Sequence, residues 1–301
     1  MVSSMREVNG MDEKILAVQR MQDYIAAHYR EEITMGTLSK VSLYSPWYAR
    51  RLFEDLTGLS PASYIRKLRL TKSALRLRDE NCSVLDAALD AGFGSAEGYL
   101  RAFTREFGVH PGTYAKNPVP VYLFTPYGVK SAHHEQEEHR METRNIFIRE
   151  VVKPARKVII KRGIKADEYM SYCEEVGCDV WGLLTSIKSL SGEPVCLWLP
   201  EKYREPVTNS YVQGAEVPMD YTGPVPAGFN VITLPEATYL ELHGEPFEEE
   251  HFEDAIGEIW KAIDNLDLAR MGYIKDEDNP RFQLEPIGSR GYIELIPVKK
   301  A

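Results

Sequence analysis

Hydrophobic positions in the first third of the chain recur at helical spacing, in short runs opened by serine and closed by glycine. Between Ser45 and Gly58, Tyr48, Leu52, Phe53 and Leu56 share one side of a helix, while Trp47, Arg50, Arg51 and Glu54 occupy the other. Ser45 is placed to cap the helix, and Gly58 to end it in the left-handed conformation. Ser60 and Pro61 then restart the chain as cap and first-turn proline of a helix over about Pro61 to Asp79, with Tyr64, Ile65, Leu68 and Leu75 on one side. The run from Ser95 to Gly108 repeats the scheme: Tyr99 and Phe103 face inward, and Glu97, Leu100, Arg101 and Thr104 outward. Arg51 and Arg101, Phe53 and Phe103, Gly58 and Gly108, Pro61 and Pro111, and Tyr64 and Tyr114 are all fifty residues apart.

Short helical patterns, roughly Met35 to Ser42 and Val84 to Ala91, precede the two runs. A short helix, a tight turn and a second helix presenting arginine outward predict a helix-turn-helix, whose second helix enters the major groove where arginine bonds guanine O6 and N7 together. The helix between the two units has 19 residues, so it spans roughly 28 Å. Major grooves on one face of a duplex recur every ~34 Å. The repeat is therefore read as two groove readers held by one rod.

The pattern changes beyond Tyr114. KNPVPVYLFTPYGVK and SAHHEQEEHR are proline-rich and then polar, which predicts a connector over 116–144; His134 and His139 are five apart and do not form the i, i+4 pair of a zinc helix. From Asn145, NIFIREVV and RKVIIKRG read as strands, ADEYMSYCEEVGCDVWGLLTSI as a helix with its continuation, and EPVCLWLP as a strand. FNVITLP and ATYLELHG read as a second strand pair. PFEEEHFEDAIGEIWKAIDNL is an amphipathic helix with Phe252, Ile256, Ile259, Trp260, Ile263 and Leu266 on its apolar stripe, Trp260 being assigned to the core. RFQLEPI and GYIELIPV close as strands. The succession predicts an α+β domain with a twofold internal plan.

At 301 residues there is room for two domains, and 44% apolar with 27% charged residues is ordinary for a globular chain. No apolar run approaches the roughly 18 residues of a membrane span, so no membrane partner is expected. MVSSMREVNGMDEK has no hydrophobic signal core, and cytoplasm is the expected compartment. The four cysteines read as reduced thiols, with Cys173 and Cys178 on different faces of their helix. A net charge of −9 conceals an asymmetry: residues 1–115 carry 15 basic and 14 acidic groups, the remainder 21 and 31. Tyr44 to Arg78 holds eight basic residues (Arg50, Arg51, Arg66, Lys67, Arg69, Lys72, Arg76, Arg78) against Glu54 and Asp55, a local surplus suited to a phosphate backbone. Arg66 and Arg69 are read as internal ion-pairing or phosphate-contacting groups rather than base readers.

In the second half, Glu285 and Glu294 each interrupt an apolar strand. An ionised carboxylate is costly to bury alone. Each is either a rim group, facing water or paired with Arg281 or Arg290, or a carboxylate on the floor of an aromatic pocket awaiting a cation. Aromatic candidates for such a pocket are Tyr169, Tyr172, Trp181, Trp198, Tyr239 and Phe247. Phosphate-loop, nucleophile-elbow and zinc motifs are absent, and no cofactor is expected.

YSPWYARRLF, GLSPASYIRKLRL, AGFGSAEGYLRAF and FGVHPGTY, within about Ile15 to Tyr114, resemble the AraC/XylS family of bacterial transcription regulators. The resemblance implies base contacts from Trp47, Arg50 and Arg51 in the first unit and from Glu97 and Arg101 in the second. Leu43 stands where that family has a turn glycine, Ala87 replaces a larger aliphatic, and Gly98 and Leu100 reduce the polarity of the second reading helix. The first unit is therefore expected to dominate sequence readout. PARKVIIKRG, LPEATYLELHGEPF, RFQLEPI and GYIELIPV resemble the GyrI-like small-molecule-binding domain, whose pocket glutamate corresponds to Glu285, with Glu294 as the second choice.

The expectation is a multidomain protein: an all-α double helix-turn-helix DNA-binding domain over 1–115, a linker over 116–144, and an α+β GyrI-like effector-binding domain over 145–301. Implied partners are promoter double-stranded DNA, a small lipophilic cationic effector and RNA polymerase. A hydrolase acting on an electrophilic small molecule, with Glu285 as acid or base, and a protein-interaction module are the alternatives for the second domain.

Overall fold

A computed structural model describes residues 2–80, 82–126, 145–248 and 251–301, with the side chains of 2–12 not described. The linker histidines His134 and His139 lie outside the described residues. The chain divides into two compact units, one formed by the N-terminal helices through Pro118 and one ending at Ala301.

The first unit contains α1 (Val2–His28), α2 (Met35–Ser42), α3 (Pro46–Thr57), α4 (Pro61–Asp79), α5 (Val84–Asp90), α6 (Ala96–Phe107) and α7 (Pro111–Lys116). The caps fall where the sequence placed them. Ser45, Ser60 and Ser95 accept from the backbone N–H three residues on, and Gly58 and Gly108 close α3 and α6 at φ +69° and +70°. Leu43 takes the same left-handed turn at φ 64° despite its side chain, because the chain must reverse there between α2 and α3.

One expectation changes. The spacing gave α4 a single apolar side, but it is buried on two. Tyr64, Ile65 and Leu68 join the core of the first helix-turn-helix with Leu52 and Phe53, while Leu70, Ala74 and Leu77 are also buried. Ser73 Oγ meets Tyr99 OH of α6 at 3.1 Å. A central helix packed on both units cannot keep one wet face. Order also extends past residue 115: Phe124 packs edge-on to Tyr64 with centroids 4.9 Å apart, and its N–H donates to Thr71 Oγ1.

The second unit is built on nine strands: β1 (Ile146–Lys153), β2 (Arg156–Arg162), β3 (Val195–Trp198), β4 (Tyr211–Val217), β5 (Asn230–Leu234), β6 (Ala237–Gly244), β7 (Tyr273–Lys275), β8 (Arg281–Gln283) and β9 (Ile293–Lys300). Three helices join them: α8 (Tyr169–Val176), α9 (Asp179–Ser186) and α10 (Phe252–Asp264). The order is β1-β6-β9-β8-β3-β4-β2-β5, with β7 on β9, and all ladders are antiparallel. Exchanging β1 with β5, β2 with β6, β3 with β8 and β4 with β9 reverses the order onto itself. The twofold plan is therefore real, with its centre between β3 and β8.

Three details differ from the sequence reading. β5 and β6 do not pair with each other; β5 joins β2, and β6 lies between β1 and β9. The expected single helix breaks at Gly177, φ +100°, into α8 and α9. That break brings the Cys173 and Cys178 thiols into hydrogen-bond contact, although continuous helical spacing would have separated them, and burial pushes the Cys173 thiol up to about 12. All four cysteines are free. No helix among the described residues is long and apolar enough to cross a membrane.

Opposed residues share a sheet face. Gln213, Cys196, Gln283, Glu294 and Leu242 therefore form one row across β4, β3, β8, β9 and β6. α8 and α9 cover the β4 end of this face and α10 covers the β6 end, so the middle of the row lies in the seam between the helix groups. The other face carries the largest apolar cluster, including Val158, Leu197, Val212, Tyr239, Phe282 and Leu295.

Candidate DNA interface and effector site

In the first unit, the cap at Ser45 and the inward set Ala49, Leu52 and Phe53 fix which side of α3 meets solvent. Trp47 is on the outside, 69% exposed. The Arg51 guanidinium lies 5.8 Å from the Trp47 ring centroid and 3.6 Å from Asp55, and Arg50 Nε is 3.0 Å from Glu54. On α6, Arg101 Nη1 is 2.8 Å from Glu97. The Arg51 and Arg101 side chains are 64% and 72% exposed. Neither guanidinium turns into the bundle. Exposed pairs of this kind contribute roughly 0–1 kcal/mol, so exchanging a carboxylate for a guanine edge costs little.

The basic surplus read from Tyr44 to Arg78 is smaller on the surface than in the count. Lys67 Nζ donates to Glu106 at 2.5 Å, Arg76 pairs with Glu80 and Asp90, and Arg78 pairs with Asp79. Arg69 is spent inside the unit, on backbone carbonyls at Tyr29, Glu31 and Gly92 rather than on the ion pair expected of it. Arg50, Arg51, Arg66 and Lys72 are the exposed members of the set.

In the second unit the two glutamates occupy different environments. Glu294 of β9 is completely buried and already holds a cation: it pairs with Arg281, and its Oε2 accepts from Trp260 Nε1 at 2.9 Å and Tyr292 OH at 3.0 Å. The Arg281 guanidinium lies 4.9 Å from the Trp198 ring and 5.8 Å from the Trp260 ring. This is the aromatic-and-carboxylate cage imagined for an incoming cation, filled by the protein's own arginine. Trp260 is thus not a core residue. It is 39% exposed and turns its N–H to Glu294, because the buried carboxylate demands donors from every side.

Glu285 is not in a strand, since β8 ends at Gln283. Its N–H donates to Glu193 Oε2 at 3.2 Å, its carbonyl accepts from Arg290 Nη2 at 2.6 Å, and Trp181 hydrogen-bonds to its carboxylate. Arg290 pairs with Glu193. Burial, and next the Glu193 charge, push the Glu285 carboxyl above its ordinary value. Among the described residues its carboxylate makes no ion pair; the nearby Arg290 charge only partly offsets the shift.

The aromatic candidates do not gather in one place. Trp181 reaches Glu285, and Trp198 stacks on Arg281 while donating to the Asp167 carbonyl at 3.0 Å. Tyr172 is fully buried with its hydroxyl on the Lys161 carbonyl, and Tyr169 packs beside that cluster. Phe247 lies in the core under α10. Tyr239 points to the opposite sheet face, where its hydroxyl accepts from Arg156. Alternation along β6 places Tyr239 away from Glu294's neighbour Leu242, a distinction visible only once the register is known. Tyr292 and Glu193 were missed as site residues; Arg281 was named only as the partner of a rim glutamate, whereas the pair it makes with Glu294 is buried. Among the described residues no cluster of three or more His, Cys, Asp and Glu side chains could hold a metal.

Matched helix-turn-helix units, each showing arginine from its second helix, define a DNA-binding protein of the helix-turn-helix class. A family described as "Helix-turn-helix domain" matches residues 38–117. The chain is 34% identical over 95 residues to the Right origin-binding protein of Escherichia coli, which covers 32% of this chain and 33% of that protein. It is 36% identical over 87 residues to the probable transcription factor PqrA of Proteus vulgaris (29% of this chain, 71% of PqrA). It is 33% identical over 97 residues to the regulatory protein SoxS of Salmonella typhimurium (32% of this chain, 91% of SoxS). The chain spans about a third of the length of the Right origin-binding protein. It belongs to the AraC family of helix-turn-helix DNA-binding regulators.

Proposed function

We propose that the chain regulates transcription by reading promoter DNA with both helix-turn-helix units, while its sheet domain, of GyrI-like type, binds a small lipophilic cation and passes that state to RNA polymerase. The observation that carries the DNA reading is the pair Arg51 and Arg101. Each is exposed on an identically capped helix, at the same position of a repeat offset by fifty residues, and each is steadied by a carboxylate four residues away. Trp47, Arg50 and Glu97 share those surfaces.

For the effector, Glu285 is the better carboxylate and Glu294 the poorer. The Glu294 charge is already met by Arg281, whereas the Glu285 carboxyl is half-buried beside Glu193 and gains from an added positive charge. The ligand acts on transcription only by as much as its affinity differs between conformations.

Arg51→Ala tests the DNA reading. It should weaken binding by roughly 1–3 kcal/mol and relax preference at one base pair, whereas losing a phosphate contact would weaken all sequences alike. The comparison is made by mobility shift on duplexes selected from a randomised pool by the wild-type protein. An unchanged base preference in the variant contradicts bidentate readout by Arg51.

A further inference from the structure

Arg69 sits on α4 where the two helix-turn-helix units meet. Its Nε donates to the Tyr29 carbonyl at 2.6 Å, Nη2 to the Glu31 carbonyl at 2.5 Å, and Nη1 to the Gly92 carbonyl at 3.3 Å. Tyr29 and Glu31 follow the C-terminal end of α1, which packs on α2 and α3 of the first unit. Gly92 forms the turn between α5 and α6 of the second. One guanidinium therefore bonds both units. The carbonyls beyond two helix ends converge on it, a place that favours a cation.

Apolar packing does not close the seam here. A cleft of about 400 Å³ runs beside Arg69, with Ile33, Ile65 and Phe93 on its walls. Geometry at this junction thus depends on directional bonds, and arginine's planar fork supplies several from one rigid group where lysine offers a single point charge. The turn is also unusually close: Gly92 has φ +69°, and a Cβ there would lie 3.0 Å from the Arg69 Cζ and 3.1 Å from the Arg30 carbonyl.

We propose that Arg69 is a positioning residue for DNA recognition, fixing the separation and relative rotation of α3 and α6 so that the protein measures the distance between two half-sites. The proposal rests on the reading of both units as groove readers. Arg69 itself touches no base.

The test uses the full chain and duplexes selected by the wild-type protein, in three forms: both half-sites at the selected spacing, the spacing altered by two base pairs, and one half-site alone. Wild type should lose about tenfold or more when the spacing changes, because the second contact no longer adds to the first. Arg69→Lys should bind the single half-site as wild type does and lose under about threefold on the altered spacing, its tolerance arising from a loosened junction. Gly92→Ala, which displaces the guanidinium from the other side, should behave in the same way, with circular dichroism confirming the fold. A full spacing penalty in folded Arg69→Lys and Gly92→Ala overturns the positioning role while leaving the two-reader function intact. A wild-type protein indifferent to the second half-site overturns both.

Discussion

A half-buried carboxyl whose neighbouring arginine pairs with another carboxylate is a pH-sensitive binding element, and Glu285, beside the Arg290–Glu193 pair, has this character. Its raised pKa comes first from burial and then from Glu193, so the folded state favours the protonated form. That contribution to stability is present in acid and is lost as pH rises through the raised pKa. Glu285→Gln avoids the loss. The variant should melt higher than wild type at neutral pH, with the difference vanishing below the usual carboxylate range. A bound cation reverses the preference by favouring the ionised form. Affinity of wild type for a lipophilic cationic dye should therefore rise with pH, and that of Glu285→Gln should stay flat. Parallel pH profiles for the two proteins would remove Glu285 from the site. Glu294 is not expected to contribute to such dye binding, since Arg281, Trp260 and Tyr292 already occupy its oxygens.

Among the elements, the second helices of the two units, α3 and α6, are defined by their ends. Gly58 ends α3 at φ +69°, and an added Cβ would meet nothing within 4 Å. Gly58→Ala therefore carries only the conformational penalty, about 1 kcal/mol of stability, measurable by denaturant unfolding. Leu43 already bears such a penalty at φ 64° with its side chain in solvent, so Leu43→Gly should recover roughly 0.5–1 kcal/mol. Equal and opposite-signed shifts are the expected pattern; a loss at Leu43→Gly would show that its side chain makes a contact worth more than the strain. These helices were legible in the sequence because local chemistry dictates them: a serine cap, a proline in the first turn, a glycine stop. What stayed hidden depends on long-range pairing. β4 escaped notice because Gln213 and Glu216 interrupt its apolar run, yet Glu216 is buried against Arg156 and Lys153 from β2 and β1. Trp260 looked like core because helical spacing cannot show that a buried Glu294 on β9 requires its N–H. Tyr239 was among the aromatic candidates for the pocket, and the sheet register puts it on the face opposite Glu294.

For the whole molecule, the repeated helix-turn-helix and the sheet of twofold order share one feature: each unit duplicates a simple element. In the helical unit α4, 19 residues long and packed on both sides, spans the two copies, and the bonds of Arg69 join them at one point along it. If Arg51 and Arg101 enter the major groove on one face of the duplex, guanine contacts must occur in two patches. Methylation interference at guanine N7 across a selected duplex measures this directly. Two interfering patches about ten base pairs apart on one face, the first lost in Arg51→Ala and the second in Arg101→Ala, are the predicted result. A single patch, or two patches unaffected by either substitution, would contradict it.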